Sequence, residues 1–177
     1  MKKVFLVLAA FLFAALACTK DSGSGSKSHT DKESESAYDP TVSTIKDVPS
    51  VSDDKVLESV ISSYKEKVVL VDLWEVWCPN CISANTVIEP LKVDRFKDVA
   101  FVYMASESSD RGKWEEQVSG LKGVHYYLSD GQMSAALKQA GSSAFPTFIV
   151  AGRDGQIIKT FIGFNQSEMF KTLDDAL

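Results

Sequence analysis

The feature that most constrains the fold of this chain is a pair of cysteines, Cys78 and Cys81, that separates a strand-like segment from a helical one. Residues 68–74 form a nearly continuous apolar run rich in β-branched side chains, which predicts a buried strand. A helical pattern begins at Pro79, a residue type that is favoured at the first position of a helix. The two thiols therefore lie where a buried strand gives way to the N-terminus of a helix.

This position predicts a reversible disulfide. Unpaired backbone N–H groups and the positive end of the helix dipole stabilise a thiolate, which is the species that attacks disulfides. Cys78 stands at the start of the helix and is the predicted nucleophile. Cys81 lies one turn further along on the same face, so it can close the pair after Cys78 has formed a mixed disulfide with a substrate.

Three other interpretations of the cysteine pair compete with this one. A zinc site requires about four ligands, and outside the pair the chain offers only Cys18, His29 and His125. A c-type haem attachment requires a histidine directly after the second cysteine, where this chain has Ile82. A purely structural disulfide stays open, although a bridge across so short a loop constrains the unfolded chain little. We therefore predict no metal and no cofactor besides the redox-active disulfide itself.

The N-terminus resembles a bacterial lipoprotein signal. Lys2 and Lys3 precede an apolar run, residues 4–16, which is shorter than the roughly 20 residues that a membrane-spanning helix needs. Small residues then lead to Cys18, and the resemblance implies that residues 1–17 are removed and Cys18 is lipidated. An ordinary cleavage site is the alternative, but it would leave a lone free thiol in an oxidising compartment. The predicted location is the bacterial cell envelope, lipid-anchored and facing the periplasm or the cell exterior.

Composition divides the rest of the chain in two. Residues 18–39 are mostly Ser, Gly, Asp, Lys and Glu, and have too few apolar side chains to fold, which predicts a flexible tether. Residues 40–177 are long enough for one compact domain. The chain carries 19 basic and 24 acidic residues, a net charge of −5, and no face rich in Lys and Arg is visible. This balance argues against nucleic acid as a partner.

Within residues 40–177, strand and helix patterns alternate, which predicts an α/β fold with parallel strands in its core. A turn that ends in Asp154-Gly155 predicts a hairpin of the last two strands. Asn165 and Glu168 form a capping pair before a final helix, which we expect to bury Met169, Phe170, Leu173 and Leu177. The remaining strands are predicted at 41–45, 99–105 and 124–128, and the remaining helices after Ser52 and at 110–121 and 131–139.

The element order, the WCPNC sequence at 77–81 and the Phe145-Pro146-Thr147 sequence before the hairpin resemble the thioredoxin superfamily, in particular its membrane-anchored TlpA/ResA type. The resemblance implies a thioredoxin-like fold with a central mixed sheet flanked by helices. It also implies an extra helix and strand inserted before a cis-proline, Pro146. The activity it implies is the reduction of protein disulfides, with electrons from a membrane thiol reductant. The residues implied in substrate binding are Trp77, Pro79, Asn80, Phe145 and Pro146.

Asp72 stands six residues before Cys78, where thioredoxins have a buried acid. Because burial raises the pKa of a carboxyl group, we predict that Asp72 exchanges a proton with Cys81 near neutral pH. A solvated Asp at a strand edge is the alternative. Tyr103 and Met104 occupy the strand where thioredoxin carries a lysine that pairs with this acid, which implies that Asp72 lacks its usual cationic neighbour.

Alternatives for the function stay open. One is a thioredoxin-fold binding or assembly module whose disulfide is permanent. Another is an oxidase or isomerase of the same fold, because the Pro-Asn dipeptide between the cysteines differs from the Gly-Pro of thioredoxin and the pair tunes the reduction potential. A peroxidase is disfavoured, since peroxiredoxins place Thr three residues before the reactive cysteine and this chain has Glu75 there before Cys78.

Overall fold

The computed structural model describes residues 38–177, so the proposed signal segment, Cys18 and His29 lie outside the described residues. The strands are β1 (Ser43–Ile45), β2 (Val68–Leu73), β3 (Val99–Ser106), β4 (Gly123–Leu128), β5 (Thr147–Ala151) and β6 (Ile157–Ile162). The helices are α1 (Val56–Ser62), α2 (Pro79–Ile88), α3 (Arg111–Val118), α4 (Asp130–Gln139) and α5 (Gln166–Ala176), with short 3-10 turns at Asp53–Lys55 and Glu89–Leu91. These bounds confirm the predicted α/β fold.

One mixed sheet has the strand order β1-β4-β3-β2-β5-β6. The β2–β3, β3–β4 and β1–β4 pairs are parallel, whereas β5 pairs antiparallel with both β2 and β6. A core cluster on one face of the sheet holds side chains of α2, α3 and α5, and the cluster on the other face holds side chains of α1 and α4. The central strand β2 is buried along its whole length, including Asp72. This explains its continuous apolar sequence, because a strand covered on both faces has no polar side.

The predicted insertion before Pro146 is confirmed and consists of α3 and β4. Trp114 of α3 is fully buried and packs on Tyr127 of β4, with ring centroids 4.9 Å apart. β4 begins at Gly123, whose φ is 134° and whose missing Cβ would lie 2.6 Å from the carbonyl oxygen of Phe101. Only glycine fits this position, because any side chain would collide with the backbone of β3.

The two ends of the domain differ from the sequence expectation. Tyr38, which composition alone assigns to the tether, accepts a hydrogen bond from the Phe101 N–H at 2.9 Å and packs edge-on against Tyr64. At the other end, Asn165 caps α5 as predicted, but Leu177 is 42% exposed. The prediction that Leu177 is buried is wrong because α5 ends one residue earlier. Within residues 38–177, no helix has both the length and the hydrophobicity needed to cross a membrane.

Candidate active site

Cys78 and Cys81 form a disulfide at the start of α2, with their Cα atoms 5.3 Å apart. Cys78 is the N-cap residue of α2, Pro79 follows in the first turn, and the Cys78 sulfur accepts a hydrogen bond from the Cys81 N–H at 3.1 Å. Cys78 is slightly exposed, whereas Cys81 is fully buried. A first-turn N–H of α2 therefore points at the outer sulfur, which is the arrangement that stabilises a thiolate.

An aromatic rim lies beside the disulfide. Trp77 is 56% exposed, its indole N–H donates to the Ser108 carbonyl at 3.2 Å, and its ring meets Phe145 edge-on at 5.8 Å. The Phe145–Pro146 peptide bond is cis, as the resemblance implies. The fold thus brings three of the predicted substrate contacts, Trp77, Phe145 and Pro146, into one neighbourhood. The other two, Pro79 and Asn80, are exposed in the first turn of α2.

Asp72 is 2% exposed, and neither of its carboxyl oxygens has a hydrogen-bond partner among the described residues. Burial raises the pKa of Asp72 to about 7, while the Asn85 amide and the Lys92 ammonium act in the opposite direction. Because side chains alternate along a strand, Asp72 shares a face with Trp74 and faces the cluster that contains Cys81. A carboxyl group with this pKa can exchange a proton with a thiol at neutral pH.

Lys92 is a buried cation that carries no recognisable signal in the sequence. Its side chain is fully buried, its ammonium donates to the Glu89 carboxylate at 2.5 Å and to the Lys122 carbonyl, and it lies 4.7 Å from the Tyr103 ring centroid. Burial lowers the pKa of Lys92 to about 8, against the attraction of Glu89 and Asp72. The expectation that Asp72 lacks a cationic neighbour is therefore corrected, since Lys92 supplies one from the turn after α2 instead of from β3.

Glu75 is a second fully buried carboxyl group near the disulfide, and sequence reasoning missed its role. It accepts hydrogen bonds from the Ser106 hydroxyl at 2.7 Å, from the Ser106 N–H at 3.4 Å and from the Ser109 hydroxyl. The Ser109 hydroxyl in turn accepts from the Val76 N–H at 3.0 Å. Glu75 thus ties the segment before Cys78 to the loop after β3. The sequence signal that could have indicated this role is the position of Glu75, a charged residue inside an apolar run.

His125 is a packing residue in this structure. Its ring stacks on Tyr103 with centroids 4.8 Å apart, and its Nε2 is 2.8 Å from the Leu121 carbonyl oxygen. Burial lowers the pKa of His125 to about 4, so the ring is neutral at physiological pH and donates that hydrogen bond. In the described part of the chain, no group of three or more His, Cys, Asp and Glu side chains is arranged to hold a metal ion.

Residues 41–177 match the family model described as Redoxin. Among solved structures, the chain is similar to a thioredoxin-like protein of Neisseria meningitidis, with 25% identity and a TM-score of 0.54 over 64% of this chain and 76% of that one. It is also similar to the exposed lipoprotein thioredoxin of Streptococcus pneumoniae, with 20% identity and a TM-score of 0.53 over 65% of this chain and 89% of that one.

A third similar structure is a secreted Mycobacterium tuberculosis disulfide oxidoreductase homologous to E. coli DsbE, with 21% identity and a TM-score of 0.54 over 64% of this chain and 85% of that one. A curated relative, the chloroplastic SUPPRESSOR OF QUENCHING 1 of Arabidopsis thaliana, is 27% identical over 120 residues. The match covers 64% of this chain and only 11% of that protein. The three structural likenesses agree on the thioredoxin fold.

Proposed function

The chain belongs to the Redoxin family, within the thioredoxin superfamily, and from that premise we propose that it is a lipid-anchored reductase of protein disulfides in the bacterial cell envelope. The observation that carries the proposal is the geometry of the cysteine pair. The slightly exposed Cys78 caps α2, and Cys81 lies fully buried behind it on the side of the sheet that Asp72 faces. This is the arrangement of an attacking thiol, a resolving thiol and a proton acceptor.

In the first step, the reduced protein uses the Cys78 thiolate to attack a substrate disulfide. A mixed disulfide between Cys78 and the substrate forms, and the other substrate sulfur leaves as a thiolate that takes a proton. The substrate segment lies extended beside Phe145 and Pro146, where backbone pairing can hold it. The exposed ring of Trp77 covers one side of this segment.

In the second step, Asp72 takes the proton of the Cys81 thiol and the resulting thiolate attacks the Cys78 sulfur. The Cys78–Cys81 bond forms, the bond from Cys78 to the substrate breaks, and the substrate leaves as a thiol after protonation. Two electrons have then passed from the dithiol to the substrate disulfide. A membrane thiol reductant, the proposed electron donor, restores the dithiol.

The surroundings of the disulfide favour the reducing direction. Among the described residues, the hydrogen bond to the Cys78 sulfur comes from a backbone N–H and not from a cationic side chain. Two buried carboxyl groups, Asp72 and Glu75, lie close by along the chain. A strong oxidant owes its potential to a strongly stabilised thiolate, whereas within residues 38–177 the hydrogen bond seen at the Cys78 sulfur comes from the helix N-terminus.

The reductase proposal is tested by replacing the resolving thiol. A Cys81→Ser variant should accumulate mixed disulfides with protein substrates, because the step that releases them is lost. The matched control is Cys78→Ser, which should trap none. If Cys81→Ser traps no substrate while Cys78 still reacts with a thiol reagent, the binding or assembly module with a permanent disulfide becomes the better interpretation.

A further inference from the structure

A groove of about 870 Å³ lies between α2 with its following turn and the connection from α3 to β4. Apolar and polar residues share its lining, which includes Trp74, Asn85, Glu89 and Gly120. The groove shares no lining residue with the rim formed by Trp77, Phe145 and Pro146. It therefore approaches the centre of the domain by a route separate from the substrate side.

The inner end of the groove meets a set of buried polar atoms without partners. Asn85 and Trp74 line the groove, and both polar atoms of the Asn85 amide and the indole Nε1 of Trp74 are buried at its inner wall without a hydrogen bond within residues 38–177. The two carboxyl oxygens of Asp72 also lack a hydrogen-bond partner within residues 38–177. The Asn85 side chain is close enough to Asp72 to lower the pKa of its carboxyl group. Buried polar groups in native proteins are rarely left unsatisfied, and ordered water is the usual partner where the site is polar and open to a cavity.

We infer that this groove is the proton route of the redox centre, and that Asn85 is the positioning residue that links the buried Asp72 carboxyl to solvent through water held in the groove. The inference rests on the proposed function, because it concerns the fate of the Cys81 proton. On the substrate side, a mixed disulfide and its bound peptide cover the cysteines during the resolving step. The groove stays accessible at that moment because none of the rim residues lines it.

The proton balance of the resolving step requires such a route. Cys81 gives its proton to the Asp72 carboxylate, and the Cys78–Cys81 bond forms as the bond to the substrate breaks. The substrate thiolate is protonated from solvent when it leaves. Asp72 can accept this proton only as a carboxylate, so near pH 7 the molecules in which it is protonated must lose that proton before the resolving step, and the water chain past Asn85 carries it to the groove.

Three ionisable groups surround Asp72. Lys92 approaches from the turn after α2 and favours the charged carboxylate. Tyr103 is paired with Asp72 in the register of β3, and burial keeps its hydroxyl neutral by raising its pKa. Cys81 belongs to α2, and the residue paired with Asp72 on β5 is Phe148, which does not ionise. Asn85 is the uncharged polar side chain between this group and the groove.

The first test replaces the amide by an apolar group of similar size. In Asn85→Leu, folding should be preserved because an unpartnered buried amide is replaced by a side chain suited to the core. The reduced protein is mixed with dithiobis(nitrobenzoate) over a range of pH. The first thionitrobenzoate released reports attack by Cys78, and the second reports resolution by Cys81.

We expect Asn85→Leu to slow the second release by about tenfold near pH 7, less than the roughly 10²–10⁴-fold that general acid–base catalysis contributes in full, because Asp72 itself is retained, and to leave the first release unchanged. The loss should shrink as alkaline pH ionises the Cys81 thiol without help. A serine hydroxyl can hold water, so Asn85→Ser should recover part of the rate. Equal slowing at every pH, or no slowing at pH 7, would overturn the inference.

A second test obstructs the groove without touching the redox centre. Gly120 lines the groove and has room for a side chain, since its nearest neighbour to an added Cβ is 3.6 Å away. Gly120→Phe should slow the second release in the same pH-dependent way. Gly112→Phe on α3, outside the groove lining, is the matched control and should leave both releases unchanged.

The two proposals fail in different ways. If the wild-type protein releases no second thionitrobenzoate, the reductase proposal itself fails. If the wild type resolves normally and Asp72→Asn slows it, but Asn85→Leu and Gly120→Phe do not, only the proton route is wrong.

Discussion

Asp72 links the pH dependence of folding to the chemistry of the dithiol. Folding raises the pKa of Asp72 from 3.8 to about 7, with burial as the main cause. Between these pH values the folded protein keeps a proton that the unfolded chain has lost, so the free energy of unfolding falls as the pH rises through this window. The loss amounts to at most about 4 kcal/mol.

Asp72→Asn should therefore remove this pH dependence. We expect the variant to exceed the wild type by about 2–4 kcal/mol in free energy of unfolding at pH 8 and to differ little from it at pH 4. Denaturant unfolding of both oxidised proteins at several pH values measures the difference. Parallel curves for the two proteins between pH 4 and pH 8 would mean that Asp72 is ionised and solvated in the folded state.

Lys92 is predicted to set the pH range in which Asp72 can accept the proton of Cys81. Its charge lowers the pKa of Asp72, so Lys92→Met should raise that pKa and move the pH profile of the resolving step to higher pH. The control is Lys97→Met, which removes the same charge from an exposed position nearby. A profile that moves equally in both variants would assign the effect to net charge instead of to the buried ammonium.

At the scale of elements, β4 depends on the glycine at its first position. Gly123→Ala places a Cβ at 2.6 Å from a β3 carbonyl and in a positive-φ conformation, so it should lower the free energy of unfolding by about 2 kcal/mol or more. Gly120→Ala, in the same connection but without strain or a close contact, should change it by less than about 0.5 kcal/mol. A similar loss in both variants would contradict this account of β4.

The elements themselves could be predicted because each has a local cause. The unbroken apolar run of β2, the proline that opens α2 and the Asn165 cap of α5 all act within a few residues of sequence. The side chains that surround the disulfide could not be predicted from the sequence, because they depend on contacts between distant segments. Lys92 comes close enough for its charge to act on Asp72, and Glu75 bonds Ser106, only after β2, β3 and α2 are packed together. Neither Lys92 nor Glu75 belongs to a periodic pattern or a spaced motif in the sequence.

At the scale of the whole molecule, the anchor and the catalytic domain are predicted to be separable. Cys18→Ser should move the protein from the membrane fraction to the soluble fraction, or leave the signal segment uncut. A protein that begins at residue 36, and so keeps the Tyr38 contact with the domain, should retain full activity on small disulfides. Membrane binding of a correctly processed Cys18→Ser protein would contradict the lipid anchor.

The direction of electron flow is the central claim, and the equilibrium reduction potential of the Cys78–Cys81 pair tests it most directly. A strong oxidant such as DsbA lies near about −120 mV and thioredoxin near about −270 mV, a difference of roughly 7 kcal/mol for a two-electron couple. With a backbone donor on the Cys78 sulfur and no cation bonded to it among residues 38–177, the pair should lie below the midpoint of about −195 mV. A potential close to that of the oxidant would contradict the reductase assignment and favour an oxidase with the same fold.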